Sequence, residues 1–485
     1  MGIGVYNMQL LLWNVSWQKI LKPKNFVPCQ FTKYYLIAVL AFIASFAIMS
    51  GYNKHPDEFM HFLAAQYYLN HWLPPAIGEP SVIHTYPSVW GTSYLDTWGL
   101  DYFLAGKIGY VLKSMIDEYI ATRFFNVTLF FILLIIYFKR SNKDTTQLIP
   151  ISVLLITPQI WYIFSYTNND ALPLFLSLLV ISEIIYPRSP LNRFLNAQPL
   201  NSFWYGGALF GLLLGVLLLS KQNYYTFLFF IGLWLIYSAI TLAPSVKYLP
   251  SIKINSNLLF KYVLILVMAL SVFLARFSLD IAINSESSLS SQFFVNLGPT
   301  ASSTKLSAYR EKMAAYPFKP STAKTDLLGT HHSLYLKAKG LQYSELFSKK
   351  WHWHIRSFNS FVGVYKYMSL HAPPLYYNLM AILLAAFTLY TLVRIVLSRV
   401  RSLIILMLIV LLASGLTVFI STYHSWVNCF QAQGRYLFPI LGIWGLLLYQ
   451  SRRHLHNSIT NIFIVSLFGM SVYSFLFVAM RHIND

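Results

Sequence analysis

Two carboxylates and two histidines crowd one short stretch, NKHPDEFMHFLAAQYYLN, residues 53–70. Asp57 and Glu58 are adjacent, with His55 and His61 on either side. A carboxylate held at a water–membrane boundary can take a proton from a hydroxyl as a general base. His61 follows Asp57 by one helical turn and would share its face, as an orienting partner for a base or as a paired surface residue. The same acids would also complement the dipole of a helix that begins after His55-Pro56, so capping and catalysis are compatible readings. Three other stretches bring chemistry. SYTNNDALP carries Asn168, Asn169 and Asp170, LLLSKQNYY carries Lys221, and CFQAQGRYLFP carries Arg435. Asp96 and Asp101 lie between the first and second long apolar runs. Lys and Arg grip phosphate through charge-assisted hydrogen bonds and stabilise one that departs. Their plainer reading is snorkelling to headgroups, and for Asp170 polarisation of a turn. One base with a phosphate clamp suits a single displacement, which inverts a sugar's anomeric centre.

The elements that must position these groups are membrane helices. Of 485 residues, 56% are hydrophobic, 17% aromatic and only 11% charged, and long apolar runs recur throughout. That composition indicates an all-α polytopic membrane protein. The net charge of +20 fits Lys and Arg gathered in cytoplasmic loops facing anionic lipid, and not nucleic-acid binding. Cys29 and Cys429 suggest no disulfide framework. The first strong apolar run, from about Tyr34, is long enough to remain as an anchor.

Lys19, Lys22, Lys24 and Lys33 place residues 1–33 inside. Spans are then expected at YYLIAVLAFIASFAIMSGY, at ATRFFNVTLFFILLIIYF and near 149–166, 170–186, 204–220, 223–241, 260–277, 376–396, 402–420, 436–450 and 458–480. The total is about eleven transmembrane helices. Inside ends hold Lys139, Arg140 and Lys143, and inside loops hold Arg188, Arg193, Lys247, Lys253, Arg399, Arg401, Arg452 and Arg453. Asp57, Glu58, His61, Asn169, Asp170, Lys221 and Arg435 then all face outside. The expected organisation is an N-terminal transmembrane module, 1–277, with a first outside loop at 52–119; an extracytoplasmic region, 278–375; and C-terminal helices, 376–485. Two segments should lie in the interface: residues 55–72, and WHWHIRSFNSFVGVYKY with Trp351 and Trp353 at headgroup level. SESSLSSQ and TASSTK read as flexible.

HPDEFMH lacks the H-E-x-x-H spacing of a zinc protease, so a divalent cation, if any, would rest on Asp57 and Asp170. The four-residue repeat of Gly207, Gly211 and Gly215 indicates close helix packing.

PDEFMHF after the first span, TNNDAL after the third and QGRYLFP at the start of a late span resemble bacterial members of the GT-C glycosyltransferase superfamily. The resemblance is closest to multispanning proteins with P-D-E-x-x-H-F and Q-G-R-Y motifs, and looser to protein O-mannosyltransferases and lipid A aminoarabinose transferases. It implies a GT-C fold, a polyprenyl-phosphate-linked sugar donor and a catalytic acid in the first outside loop. By that resemblance Asp57 is the leading base with Glu58 as neighbour or deputy, and Asp170 is a second acid. Lys221 and Arg435 are the phosphate clamp. The family's branches differ in assignment, which leaves Asp57 and Glu58 both open.

The expected function is an extracytoplasmic inverting glycosyltransferase in a bacterial inner membrane, its site facing the periplasm and its acceptor a glycan, lipid or protein. Nucleotide sugars are cytosolic, so an outward site needs a lipid carrier. A ligase or polymerase of lipid-linked glycans, using Arg310, His331, His332 and Arg356, is the alternative. A lipid or glycan transporter is another, though the spans lack mid-membrane polar residues and repeats.

Overall fold

Apolar runs become helices because a chain in lipid must satisfy its own backbone. The computed structural model describes residues 29–86, 89–142, 144–197, 203–243, 251–254, 256–285 and 305–485. Six helices are long and apolar enough to cross a membrane. They are α1 (Cys29–Met49), α4 (Glu118–Ser141), α10 (Ser256–Asn284), α13 (Pro374–Ser398), α14 (Arg401–Val427) and α16 (Asn457–Tyr473, prolonged by a π-helical turn at Ser474–Met480). A seventh is reached if α6 (Ala171–Ile185) and α7 (Pro190–Asn196), bent by 42° at their joint, count as one span. The protein is an all-α integral membrane protein.

The expected eleven long spans are not reproduced as such. The segment near 149–166 is broken by Pro150 and Pro158 into 3₁₀ turns at Thr145–Leu148 and Pro150–Leu155 and the short α5, Pro158–Ile163. Those near 204–220, 223–241 and 436–450 are α8 (Trp204–Ser220), α9 (Tyr225–Ala239) and α15 (Pro439–Ser451). At 13 residues, α15 rises only about 20 Å, against about 30 Å of hydrocarbon. Of the short elements, α5, α6 and α15 lie inside the bundle, while α8 and α9 keep exposed apolar side chains such as Leu209, Leu212, Phe229 and Ile236. α6, apolar all round, is buried along nearly its whole length.

The glycine repeat packs helices, as expected. A Cβ at Gly211 would lie 2.5 Å from the Ile265 carbonyl oxygen, and one at Gly215 would lie 2.7 Å from Val272 Cβ, both on α10. Gly207 faces the Phe194 ring of α7 in the same way. Lys261 of α10 donates to the carbonyls of Phe194, Leu195 and Ala197 at 2.7, 3.1 and 3.0 Å, capping α7.

Two ends of the bundle are distinct. At one, Arg140 pairs with Glu183, Gln147 donates to the Tyr449 hydroxyl and Arg394 to the His454 carbonyl. Here lie the basic turns around Arg188, Arg399 and Arg452. Lys19, Lys22, Lys24, Lys143 and Lys247 lie outside the described residues, as does most of SESSLSSQ and TASSTK. At the opposite end stand α2 (Glu58–Asn70), α3 (Asp101–Leu112), α11 (Lys305–Met313) and α12 (Trp353–Gly363). Residues 333–337 run antiparallel to 426–430, with Tyr335 N donating to Asn428 O at 2.7 Å and Phe430 N to Ser333 O at 2.8 Å. Two small antiparallel pairs complete the fold: β1 (Ile240–Ala243) with β2 (Ser251–Ile254), and β3 (Val364–Tyr365) with β4 (Leu370–His371). Trp351 and Trp353 do not present their rings to headgroups as expected. Both are buried, Trp351 against Phe430 and Trp353 donating to Ser425 Oγ at 3.0 Å, because the 305–371 segment folds onto the end of α14.

Gly211→Val should lower the thermal midpoint in detergent by several degrees, because α8 and α10 must part. Gly232→Ala, with nothing within 4 Å of its Cβ, should leave it within a degree or so of wild type or raise it. Size-exclusion-coupled melting of the two variants checks this.

Candidate active site

A buried arginine organises the chain entering the site. Arg123, in the second turn of α4, is fully buried and spends its donors on two targets. Nε and Nη2 bind the Glu58 carboxylate at 2.6 and 2.9 Å. Nη1 and Nη2 bind the carbonyls of Ala47, Ser50 and Gly51 at 2.9, 2.7 and 3.0 Å. Those carbonyls are the ones a helix end leaves without partners, so the end of α1 and the start of α2 are tied to one guanidinium. Asn484 ties the same turn from the other end of the chain. It accepts from Gly51 N at 2.8 Å, donates to Met49 O at 3.0 Å and accepts Lys54 Nζ on its carbonyl at 2.9 Å. His55, buried between Ser50 Oγ and the Tyr162 hydroxyl and stacked on Tyr166, fixes the rest.

The turn so held presents Asp57. It occupies the N-cap position of α2 with φ of +56° and makes no side-chain cap. A left-handed aspartate that forgoes its cap is a strained choice. Its carboxylate instead faces Arg435 at 3.7 Å, and its side chain is 44% exposed.

The other motifs meet it there. In TNND, Asn168 builds the turn, donating to Ile163 O and Tyr166 O and accepting from Asp170 N and Ala171 N. That leaves Asn169 and Asp170 to receive Lys221 Nζ at 3.1 and 2.5 Å. Asp170 also meets Arg435 Nη1 at 3.5 Å. Arg435 Nε donates to Gln433 at 2.6 Å. The glycine of QGRY is required by a close approach: a Cβ on Gly434 would fall 2.1 Å from Phe361 N, and Gly434 N bonds Ser360 Oγ at 2.5 Å. α12 thereby holds the loop that aims Arg435. The result is a chain of charges, Lys221–Asp170–Arg435–Asp57, in which Asp57 is the most accessible member.

Tyrosines and two unpaired polar groups back this chain. His61 stacks on Tyr94 at 4.2 Å between ring centroids and bonds the Tyr102 hydroxyl at 2.7 Å through Nδ1, while its buried Nε2 has no partner. The ring therefore does not orient Asp57, contrary to the expected pairing, because its bonding nitrogen is turned inward. Burial, then the nearby Arg435 and Lys221, hold it well below the usual histidine range, so it is neutral. Asp101 is buried at the start of α3, and neither of its oxygens bonds another residue. Burial raises its carboxyl to about 7, with Lys221 opposing and Asp170 adding to the rise.

Asp57, Asn169, Asp170, Lys221 and Arg435 are thus brought together. Glu58 is near in sequence but withdrawn: it is sealed under Arg123 and has no path to a substrate hydroxyl. A divalent ion on Asp57 and Asp170 does not fit, since the Arg435 guanidinium already bridges the two carboxylates. Among the described residues no group of three or more His, Cys, Asp or Glu is placed to hold a metal. Asp101 was noted from sequence only as a carboxylate of the first outside loop, and Arg123 and Asn484 were not noted; of those two, Arg123 alone carried a signal, as a lone cation inside an apolar run. Comparison with family models, curated proteins and solved structures found no match to the chain.

Glu58→Ala leaves the Arg123 charge buried without its counter-ion and should cost about 3–5 kcal/mol of stability. Asp57→Ala, at the exposed end, should leave the melting temperature nearly unchanged; melting both variants checks the division. Asp101 gives a pH signature. Its folded pKa lies above the unfolded value of 3.8, so the folded state holds the proton more tightly and stability falls as pH rises from about 4 to about 7. Asp101→Asn should be more stable than wild type at pH 8, by on the order of a few kcal/mol, and the gap should close toward pH 4, as denaturant or thermal unfolding at the two pH values would show.

Proposed function

We propose that this chain is an inverting glycosyltransferase of GT-C type that takes a sugar from a polyprenyl phosphate to a hydroxyl on a glycan, lipid or protein. The observation that carries the reading is one accessible carboxylate, Asp57, beside two cations, Lys221 and Arg435, that an otherwise buried acid holds in place. Asp57 removes the proton from the acceptor hydroxyl as its oxygen attacks the anomeric carbon. The bond from that carbon to the phosphate oxygen breaks, and the electron pair leaves with the polyprenyl phosphate. Lys221 and Arg435 stabilise the charge that grows on the leaving group. Asp170 positions the two cations and keeps them charged before the donor arrives, and Glu58 positions Asp57 through Arg123. No metal is needed for this charge balance.

The eleven apolar segments are read as eleven passes, several of them short. The Asp57 end faces the periplasm of a bacterial inner membrane, and the end with the basic turns faces the cytoplasm. The clustering of Arg188, Arg399 and Arg452 away from the site supports that orientation.

Asp57→Asn should lower the turnover of radiolabelled sugar transfer by about 10²–10⁴-fold, with donor affinity kept within a few-fold. Near-normal turnover of a well-folded Asp57→Asn protein, with wild type active, would remove Asp57 as the base.

A further inference from the structure

The basic edge formed by residues 337–356 lies beside the end of α14. α14 has 27 residues and rises about 40 Å, roughly 10 Å more than the hydrocarbon core of a bilayer. If it is centred in the bilayer, its last turns stand among headgroups. The 337–356 segment is fastened to those turns. The Tyr343 hydroxyl meets Thr422 Oγ1 at 2.5 Å, Trp353 donates to Ser425, and Trp426 donates to Leu341 O at 2.7 Å. Depth is therefore fixed by hydrogen bonds to a span.

What this edge shows to its surroundings is of one kind. Lys337, Lys349, Lys350 and Arg356 are all exposed. Lys337 lies over the Trp426 ring at 4.9 Å and Lys350 near that of Trp351 at 5.6 Å. Among them Phe347 and Ile355 are 41% and 44% exposed, and on α14 itself Phe419 and Ile420 are exposed one to two turns deeper. The acid nearby, Glu345, accepts from Gln342 N at 2.8 Å as part of a local cap. Cations over apolar side chains at headgroup depth are what a lipid with an anionic head and acyl tails requires. A soluble polyanion would have no use for Phe347 and Ile355.

We propose that this edge is a binding site for anionic glycerophospholipid, with Lys349, Lys350 and Arg356 on the headgroup phosphate and Phe347 and Ile355 along the upper acyl chain. Its place also gives it a line to the site. Arg356 sits on α12, whose far end, at Ser360 and Phe361, packs against Gly434 beside Arg435. Lipid held here would steady the helix that aims the arginine. The proposal needs only that the protein is embedded in a bilayer, not that it transfers sugar.

The test uses the full chain in nanodiscs of equal parts phosphatidylcholine and phosphatidylglycerol, released into native mass spectrometry to count retained lipids. Wild type should retain phosphatidylglycerol over phosphatidylcholine several-fold. A Lys349→Gln/Lys350→Gln/Arg356→Gln variant should lose most of that preference, whereas Lys312→Gln/Lys324→Gln, exposed on other elements, should keep it. Equal retention of the two lipids by wild type, or an unchanged preference in the triple variant, would overturn the proposal. A second reading leaves the cations untouched. A fluorophore on His354→Cys should be quenched more by brominated phosphatidylglycerol than by brominated phosphatidylcholine, and millimolar inorganic phosphate should not reverse the difference. Equal quenching would refute a lipid site, and reversal by phosphate would make it a free-anion site instead.

Discussion

The guanidinium of Arg123 is the constraint on which the site depends. A charge with no exposure to solvent is tolerable only if it is paired and its donors are filled. Arg123 meets that condition with Glu58 and with three carbonyls at and just past the end of α1, those of Ala47, Ser50 and Gly51. Because a planar guanidinium fixes the directions of its bonds, it sets the angle between the end of α1 and the start of α2. Asp57 stands at that corner in a left-handed conformation, turned from the helix it precedes toward Arg435. Asn484 closes the corner from the opposite end of the chain, so residues more than 400 positions apart define one loop.

Adjacent acids have consequently been given opposite tasks. Glu58 is a buried counter-ion whose loss would strand a charge. Asp57 is accessible and bears on the weaker end of a charge chain. Lys221 and Arg435 are themselves matched to Asp170, so in the proposed reaction an incoming phosphate would meet cations already desolvated and oriented. It would compete with the carboxylates of Asp170 and Asp57 more than with bulk water. That is the economy of a preorganised anion site. His61 is neutral and Asp101 gives up its proton only near pH 7, which limits the negative charge on the floor of the site.

Much of this was legible in the sequence. Apolar runs gave helices because backbone satisfaction leaves lipid no alternative, and PDEFMHF, TNNDAL and QGRY marked residues that do converge. What was not legible was decided by three-dimensional pairing. No local pattern distinguishes Glu58 from Asp57; only the arrival of Arg123, 65 residues later, does so. Asn484 has no motif, since its side chain bonds backbone atoms that any residue would offer. Trp351 and Trp353 looked interfacial by type, yet a loop that folds back onto α14 buried them. Helix length also misled: Pro150, Pro158 and tight turns shorten inner helices that hydropathy alone makes look like full spans.

The central claim is that a lipid-linked phosphate rests between Lys221 and Arg435 with Asp57 on its open side. The most direct measurement is an electron cryomicroscopy structure of the protein in nanodiscs with a polyprenyl phosphate. The account predicts phosphate density within hydrogen-bonding distance of Lys221 Nζ and the Arg435 guanidinium, with Asp57 facing the adjoining water. Phosphate bound elsewhere, with the Lys221–Asp170–Arg435 chain undisturbed, would contradict it.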